Sequence, residues 1–179
     1  MTLIIRIIDR ISNASGLIAG LLMILGVVLV LTEVIVRTVF SSTIYITQEY
    51  TAYFMVAITF LGLAYTLKEK GHIRLTFIHK FVKVGKVRTI LDIYAFIIGF
   101  IIFAIVTYAT IDYFLSSLAS GTRSMQITKT YLAIPQFAMP LGSFIISLQF
   151  LAEILKSILQ LKTGEFEEED DFESEALGR

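Results

Sequence analysis

Residues 47–88 read TQEYTAYFMVAITFLGLAYTLKEKGHIRLTFIHKFVKVGKVR, and this stretch decides how the chain is arranged. Its first half, residues 50–67, is an apolar run long enough, at about 1.5 Å per residue, to cross most of a bilayer. Its second half opens with Lys68, Glu69, Lys70, Gly71, His72, Ile73 and Arg74, and holds seven of the fifteen Lys and Arg of the chain. A short basic loop between two spans stays on the cytoplasmic side. The other segments can then be oriented from it.

Composition agrees with a membrane protein. Of 179 residues 56% are hydrophobic and 17% charged, and the mean hydropathy is +0.79, which is too apolar for an ordinary soluble domain. The net charge of zero hides segregation, because the bases sit near the membrane while eight of fifteen acids lie between Glu165 and Glu175. Cysteine is absent, which excludes disulfides, thiolate metal sites and Cys nucleophiles. The first long apolar run is too long for a signal-peptide core and lacks a small-residue cleavage site after it, so it is expected to be retained as a span.

Hydropathy predicts an all-α integral membrane protein with four transmembrane helices at about 15–37, 48–67, 89–116 and 132–159, within a membrane domain of residues 14–161. Residues 1–13 are expected to form a separate amphipathic surface helix, with Arg6, Asp9, Arg10 and Asn13 on one side and Ile4, Ile7, Ile8 and Ile11 on the other. A second, basic surface helix is expected at about 73–86, where Arg74, Lys80, Lys83 and Lys86 would face lipid head groups. Residues 162–179 read as an acidic, disordered cytoplasmic tail. With both termini inside, twelve of the fifteen Lys and Arg are cytoplasmic, and Arg37, Arg123 and Lys129 are the exceptions, which is the bias that orients membrane proteins.

Charged residues within spans mark pathways or partners. Glu33 and Arg37 are four apart, acid first, the favourable order for a helical pair. They could carry an ion or proton, or form a self-neutralising pair at a subunit contact. A pathway should place ionisable groups at several depths, and the middles of the spans are nearly bare. Glu49 opens the second span, where an acid suits the helix dipole and could join Arg37. Asp92 and Asp112 flank the third span and Glu153 lies inward on the fourth. All three read as head-group residues, with partner contact as the alternative.

Gly16 and Gly20 make a small-xxx-small pattern. On the last span Gln136, Pro140, Ser143 and Ser147 form a small polar stripe of the kind that packs helices. His72 and His79 lie in the cytoplasmic loop and not on facing spans, so no haem is expected. Nor is any other cofactor, metal, catalytic residue or nucleic-acid partner. The chain shows neither the repeats nor the broken helices of many transporters. A helper subunit is the simpler expectation; the rivals are an anchor subunit of a respiratory redox enzyme and a small oligomeric exporter.

Arg37 closing the first span, Glu49 opening the second, then Phe60-Leu61-Gly62-Leu63-Ala64 leading to Gly71-His72-Ile73, and later Ser124, Ile134-Pro135 and Pro140-Leu141-Gly142, resemble the small membrane subunit of tripartite ATP-independent periplasmic (TRAP) transporters. The likeness covers about residues 9–161. Gln48 stands where that family commonly has a second acid, and Thr76 where an acid commonly follows the His-Ile pair. The resemblance implies a scaffold for a large, multi-span, sodium-coupled permease subunit, and outer loops that help dock a periplasmic binding protein delivering an organic acid. On that reading Gly16, Gly20, Glu33, Arg37, Glu49, Gly62, Ser143 and Ser147 are subunit-interface candidates. Arg123 and Lys129 are candidates for docking the binding protein, and the expected location is the bacterial inner membrane.

Overall fold

A computed structural model describes residues 2–69 and 86–163. Its elements are α1 (Thr2–Phe40), α2 (Ile46–Lys68), α3 (Lys86–Ser120), the single turn α4 (Ala133–Gln136) and α5 (Ala138–Thr163). Four segments are long and apolar enough to span a membrane, with α4 and α5 counting as one. We call the ends of the bundle outer and inner after the charge expectation.

Helix α1 is the first departure from the sequence expectation. No break separates a surface helix at residues 1–13 from the first span: one helix runs for 39 residues, or about 58 Å at 1.5 Å per residue. Ser12, Asn13 and Gly16 weaken a helix locally, but none removes a backbone hydrogen bond as proline would. Part of this segment also packs against the bundle. Ile5 and Ile8 are buried, whereas Ile4, Ile7 and Ile11 are exposed, and Asp9 turns towards α5. Of the expected surface helix at residues 73–86 only Lys86, the first residue of α3, is described; residues 73–85 and the tail from residue 164 onward lie outside the described residues.

Helix α3 ends where Gly121 adopts a left-handed backbone at φ 60°, a conformation that costs glycine little. The Thr122 N–H then donates to Ser117 O at 3.3 Å and the Gly121 N–H to Leu118 O at 3.4 Å, so the last carbonyls keep partners. Pro135 and Pro140 lack N–H donors, which accounts for the interruption at Phe137 between α4 and α5.

Helix α5 is the axis of the bundle and packs on α1, α2 and α3. Of its apolar window 56% is buried, against 11% in α1 and in α3, so α1 and α3 turn most of their apolar surface outward. The core joins Ala19, Leu61, Ala64 and Leu67 to Phe96, Ile145, Ile146 and Phe150. In lipid, apolar side chains gain little from leaving one apolar medium for another, so helices associate through close packing and polar contacts. Gly142 provides the closest approach, since a Cβ there would stand 2.4 Å from the backbone oxygen of Phe60. On the other side Phe150 fills the notch left by Gly99 and meets the Phe103 ring at 5.6 Å between centroids.

Candidate functional site

Polar side chains gather in two layers, one at each end of the bundle. In the outer layer Glu33, buried on α1, accepts hydrogen bonds from Arg37 at 2.6 and 3.2 Å on one oxygen. Its other oxygen accepts the backbone N–H of Ile44 at 2.7 Å. The acid therefore holds the α1–α2 turn as well as the arginine, whose side chain remains 65% exposed. Glu49, buried in the first turn of α2, accepts from the Tyr53 hydroxyl at 2.5 Å and from the Thr128 hydroxyl. Glu49 thus ties the start of α2 to the loop that follows α3.

That loop is a short hairpin. The Ser124 N–H donates to Thr130 O at 2.8 Å, Arg123 and Tyr131 form an antiparallel bridge, and the Lys129 N–H closes a turn onto Gln126 O at 3.1 Å. Arg123 lies over the Tyr131 ring, 4.2 Å from its centroid, and bonds its hydroxyl. The tip presents Met125, fully exposed, and Ile127, 71% exposed, between Arg123 and Lys129. Two bare apolar side chains flanked by two cations on a pinned loop make a surface suited to holding a protein.

The inner layer was not foreseen as a unit. Ser12 of α1 donates to Gln149 Oε1 of α5 at 2.7 Å, while Gln149 Nε2 donates to Asp9 at 3.1 Å and to Glu153 at 3.0 Å. Lys156 then bridges the two acids, at 3.0 Å from Asp9 and 2.9 Å from Glu153. Buried polar groups require such partners. In one dimension Asp9 looked like part of a polar surface stripe and Glu153 like a head-group residue. The three-residue spacing of Glu153 and Lys156 was a usable signal for half of the network, and nothing in the sequence pointed from either to Asp9.

The other predicted site residues fall as follows. Gly16 packs within the chain, where a Cβ would collide with the Tyr65 ring, while Gly20 has open space around it. Gly62 lies 3.9 Å from the Ala19 methyl, judged by its would-be Cβ. Ser143 is fully enclosed and Ser147 sits 3.3 Å from the Thr107 hydroxyl on α3. The stripe carrying them packs this chain's own helices, so contact with another subunit through Ser143 is not open to it. Arg37, Arg123 and Lys129 are exposed. Lys86 opens α3, and Arg74, Lys80 and Lys83 lie outside the described residues.

Between the layers runs a 380 Å³ groove walled by Tyr50, Phe54, Ala57, Leu61, Pro135 and Leu141, with no charged side chain in its lining. Among the described residues, no three His, Cys, Asp or Glu are grouped to hold a metal ion. Within the chain, the inner layer ties α1 to α5 and the outer layer ties the start of α2 to the hairpin.

A family model described as "Tripartite ATP-independent periplasmic transporters, DctQ component" matches residues 26–160, well over half of the chain. No curated protein matches it.

Proposed function

Because the chain belongs to the DctQ component family of tripartite ATP-independent periplasmic transporters, it is the small membrane component of such a system, and we propose that it serves there as framework. On this reading it braces the large permease subunit, which moves an organic acid inward with sodium ions. Its outer hairpin offers the periplasmic binding protein a landing surface. The chain sits in the bacterial inner membrane with both termini in the cytoplasm, as the distribution of Lys and Arg favours. Arg74, Lys80, Lys83 and Lys86 meet anionic head groups. Of the interface candidates, Gly20 and Arg37 occupy exposed positions from which a second subunit can be reached.

The observation that carries this reading is the Glu49–Thr128 contact, which fastens the cation-flanked hairpin to the start of a membrane helix. A loop pinned to the frame is preorganised for a partner and loses less entropy on docking. The test is affinity purification from membranes in mild detergent with the large subunit co-expressed. Recovery of the large subunit with the chain supports the proposal; a chain that runs alone and moves substrate alone in liposomes overturns it.

A further inference from the structure

Asp112 is placed by its neighbours on α3. One turn or so inward, Thr107 meets Ser147 of α5 at 3.3 Å. Just outward, the Phe114 ring meets the Phe137 ring at 5.7 Å. Between those rungs Asp112 is level with the first turn of α5, and α5 is in turn seated against the middle of α2 through Gly142 and Phe60.

Depth can be bounded. The outer end of α3, Ser120, belongs to the outer polar layer, because Thr122 O accepts from Leu132 and the same loop reaches Glu49 through Thr128. Asp112 lies eight residues inward of Ser120, about 12 Å. The inner layer begins at the level of Phe96, whose ring meets Phe150 beside Gln149, about 24 Å further in. With the outer face of a hydrocarbon slab of about 30 Å set at this outer layer, Asp112 falls about 12 Å inside it. An aspartate side chain is too short to reach water from there as lysine or arginine can.

Asp112 is exposed on the chain's surface and makes no hydrogen bond or ion pair among the described residues. No other charged residue lies between the two layers among the described residues. It shares a helical face with Ile101, Ile105 and Tyr108, opposite Phe103 and Thr107, which meet α5. Tyr108, one turn inward of Asp112, is 77% exposed, and its hydroxyl also lacks a partner among the described residues. A carboxylate left in hydrocarbon without a cation or donor costs several kcal/mol. From this we infer that the face of α3 bearing Tyr108 and Asp112 is the one that receives a helix of the large subunit, and that this helix brings an arginine, lysine or other hydrogen-bond donor to Asp112. The inference rests on the framework role proposed above and adds to it which face, and which chemistry, makes the joint.

The test compares the wild type with Asp112→Asn, Asp112→Leu and Asp112→Glu, each co-expressed with the large subunit and purified in mild detergent. A photo-crosslinking residue replaces Tyr108 in a parallel sample. Asn and Leu should lower the large subunit recovered per chain by about tenfold, the loss of one charged hydrogen bond, while Glu restores most of it. The residue at 108 should give an adduct with the large subunit. The size-exclusion profile of each variant chain alone confirms that it folds. If the wild type recovers the large subunit but Leu recovers as much, and the crosslinker labels lipid or a second copy of this chain, the joint lies elsewhere and this inference falls while the framework role stands. If the wild type recovers no large subunit, both fall.

Discussion

Ser12 and Gln149, 137 positions apart in sequence, are joined by a 2.7 Å hydrogen bond, both side chains fully buried. That bond closes the inner ends of the first and last helices, and Asp9, Glu153 and Lys156 extend it further along the same end of the bundle. The clamp thus joins α1 to α5, a pair that meets less broadly than α2 or α3 meets α5.

Removing a member of this clamp should loosen the inner end. Gln149→Leu deprives Asp9 and Glu153 of a donor and Ser12 of its acceptor, and is expected to lower stability by about 1–3 kcal/mol. Lys156→Met should cost about 1 kcal/mol, because Lys156 and Asp9 are partly open to solvent and screened. Thermal unfolding in detergent, followed by loss of the monodisperse peak, checks both. Equal melting temperatures for Gln149→Leu and wild type would show that the network is not a clamp.

The contact between α2 and α5 depends on the missing side chain at Gly142. Gly142→Ala places a methyl 2.4 Å from the Phe60 carbonyl oxygen, so the helices must part, at about 1–3 kcal/mol. Gly20→Ala meets nothing within 4 Å and gains helix propensity, so it should be neutral or stabilising by about 1 kcal/mol. Melting curves of the pair measured side by side separate packing from composition.

Glu33 and Arg37 should differ in importance although they are partners. Arg37 is mostly exposed, and such pairs contribute about 0–1 kcal/mol; Arg37→Ala should therefore change little in the isolated chain. Glu33→Leu also strands the Ile44 N–H at the α1–α2 turn, at about 1–3 kcal/mol. Protease accessibility of the 41–45 turn should rise in the Glu33 variant only. Equal damage from both would mean that the ion pair, and not the turn, is what Glu33 supports.

On the outer hairpin, reversing Arg123 and Lys129 to Glu should raise the binding-protein concentration needed for half-maximal uptake by about threefold to tenfold, mainly through slower association, with a weaker salt dependence. Met125→Ser with Ile127→Ser should also raise that concentration without altering the salt response. Uptake into proteoliposomes containing both membrane subunits, titrated with binding protein, gives both readings. Unchanged titration curves would remove the hairpin from the docking surface.

How much could be read beforehand follows from the range of each signal. Four spans were legible because bilayer thickness and helical rise set a length that a hydropathy window measures directly. The Glu33–Arg37 pair was legible because one helical turn brings residues four apart together. The notch at Gly99, the bond from Thr128 to Glu49 and the turn of Asp9 towards α5 were not, since each needs a partner from a distant segment.

Length, apolar character and the asymmetry of Lys and Arg are properties of one segment at a time, and the sequence settles them alone: a four-span membrane protein with a basic loop. The register of one span against the next is a different kind of quantity, set by small differences in close packing such as Phe60 on Gly142 and Thr107 on Ser147. Lipid solvates apolar faces almost equally well, so no hydropathy pattern can report it. That register brought Ser12 to Gln149 across the bundle, and set Asp112 level with the first turn of α5.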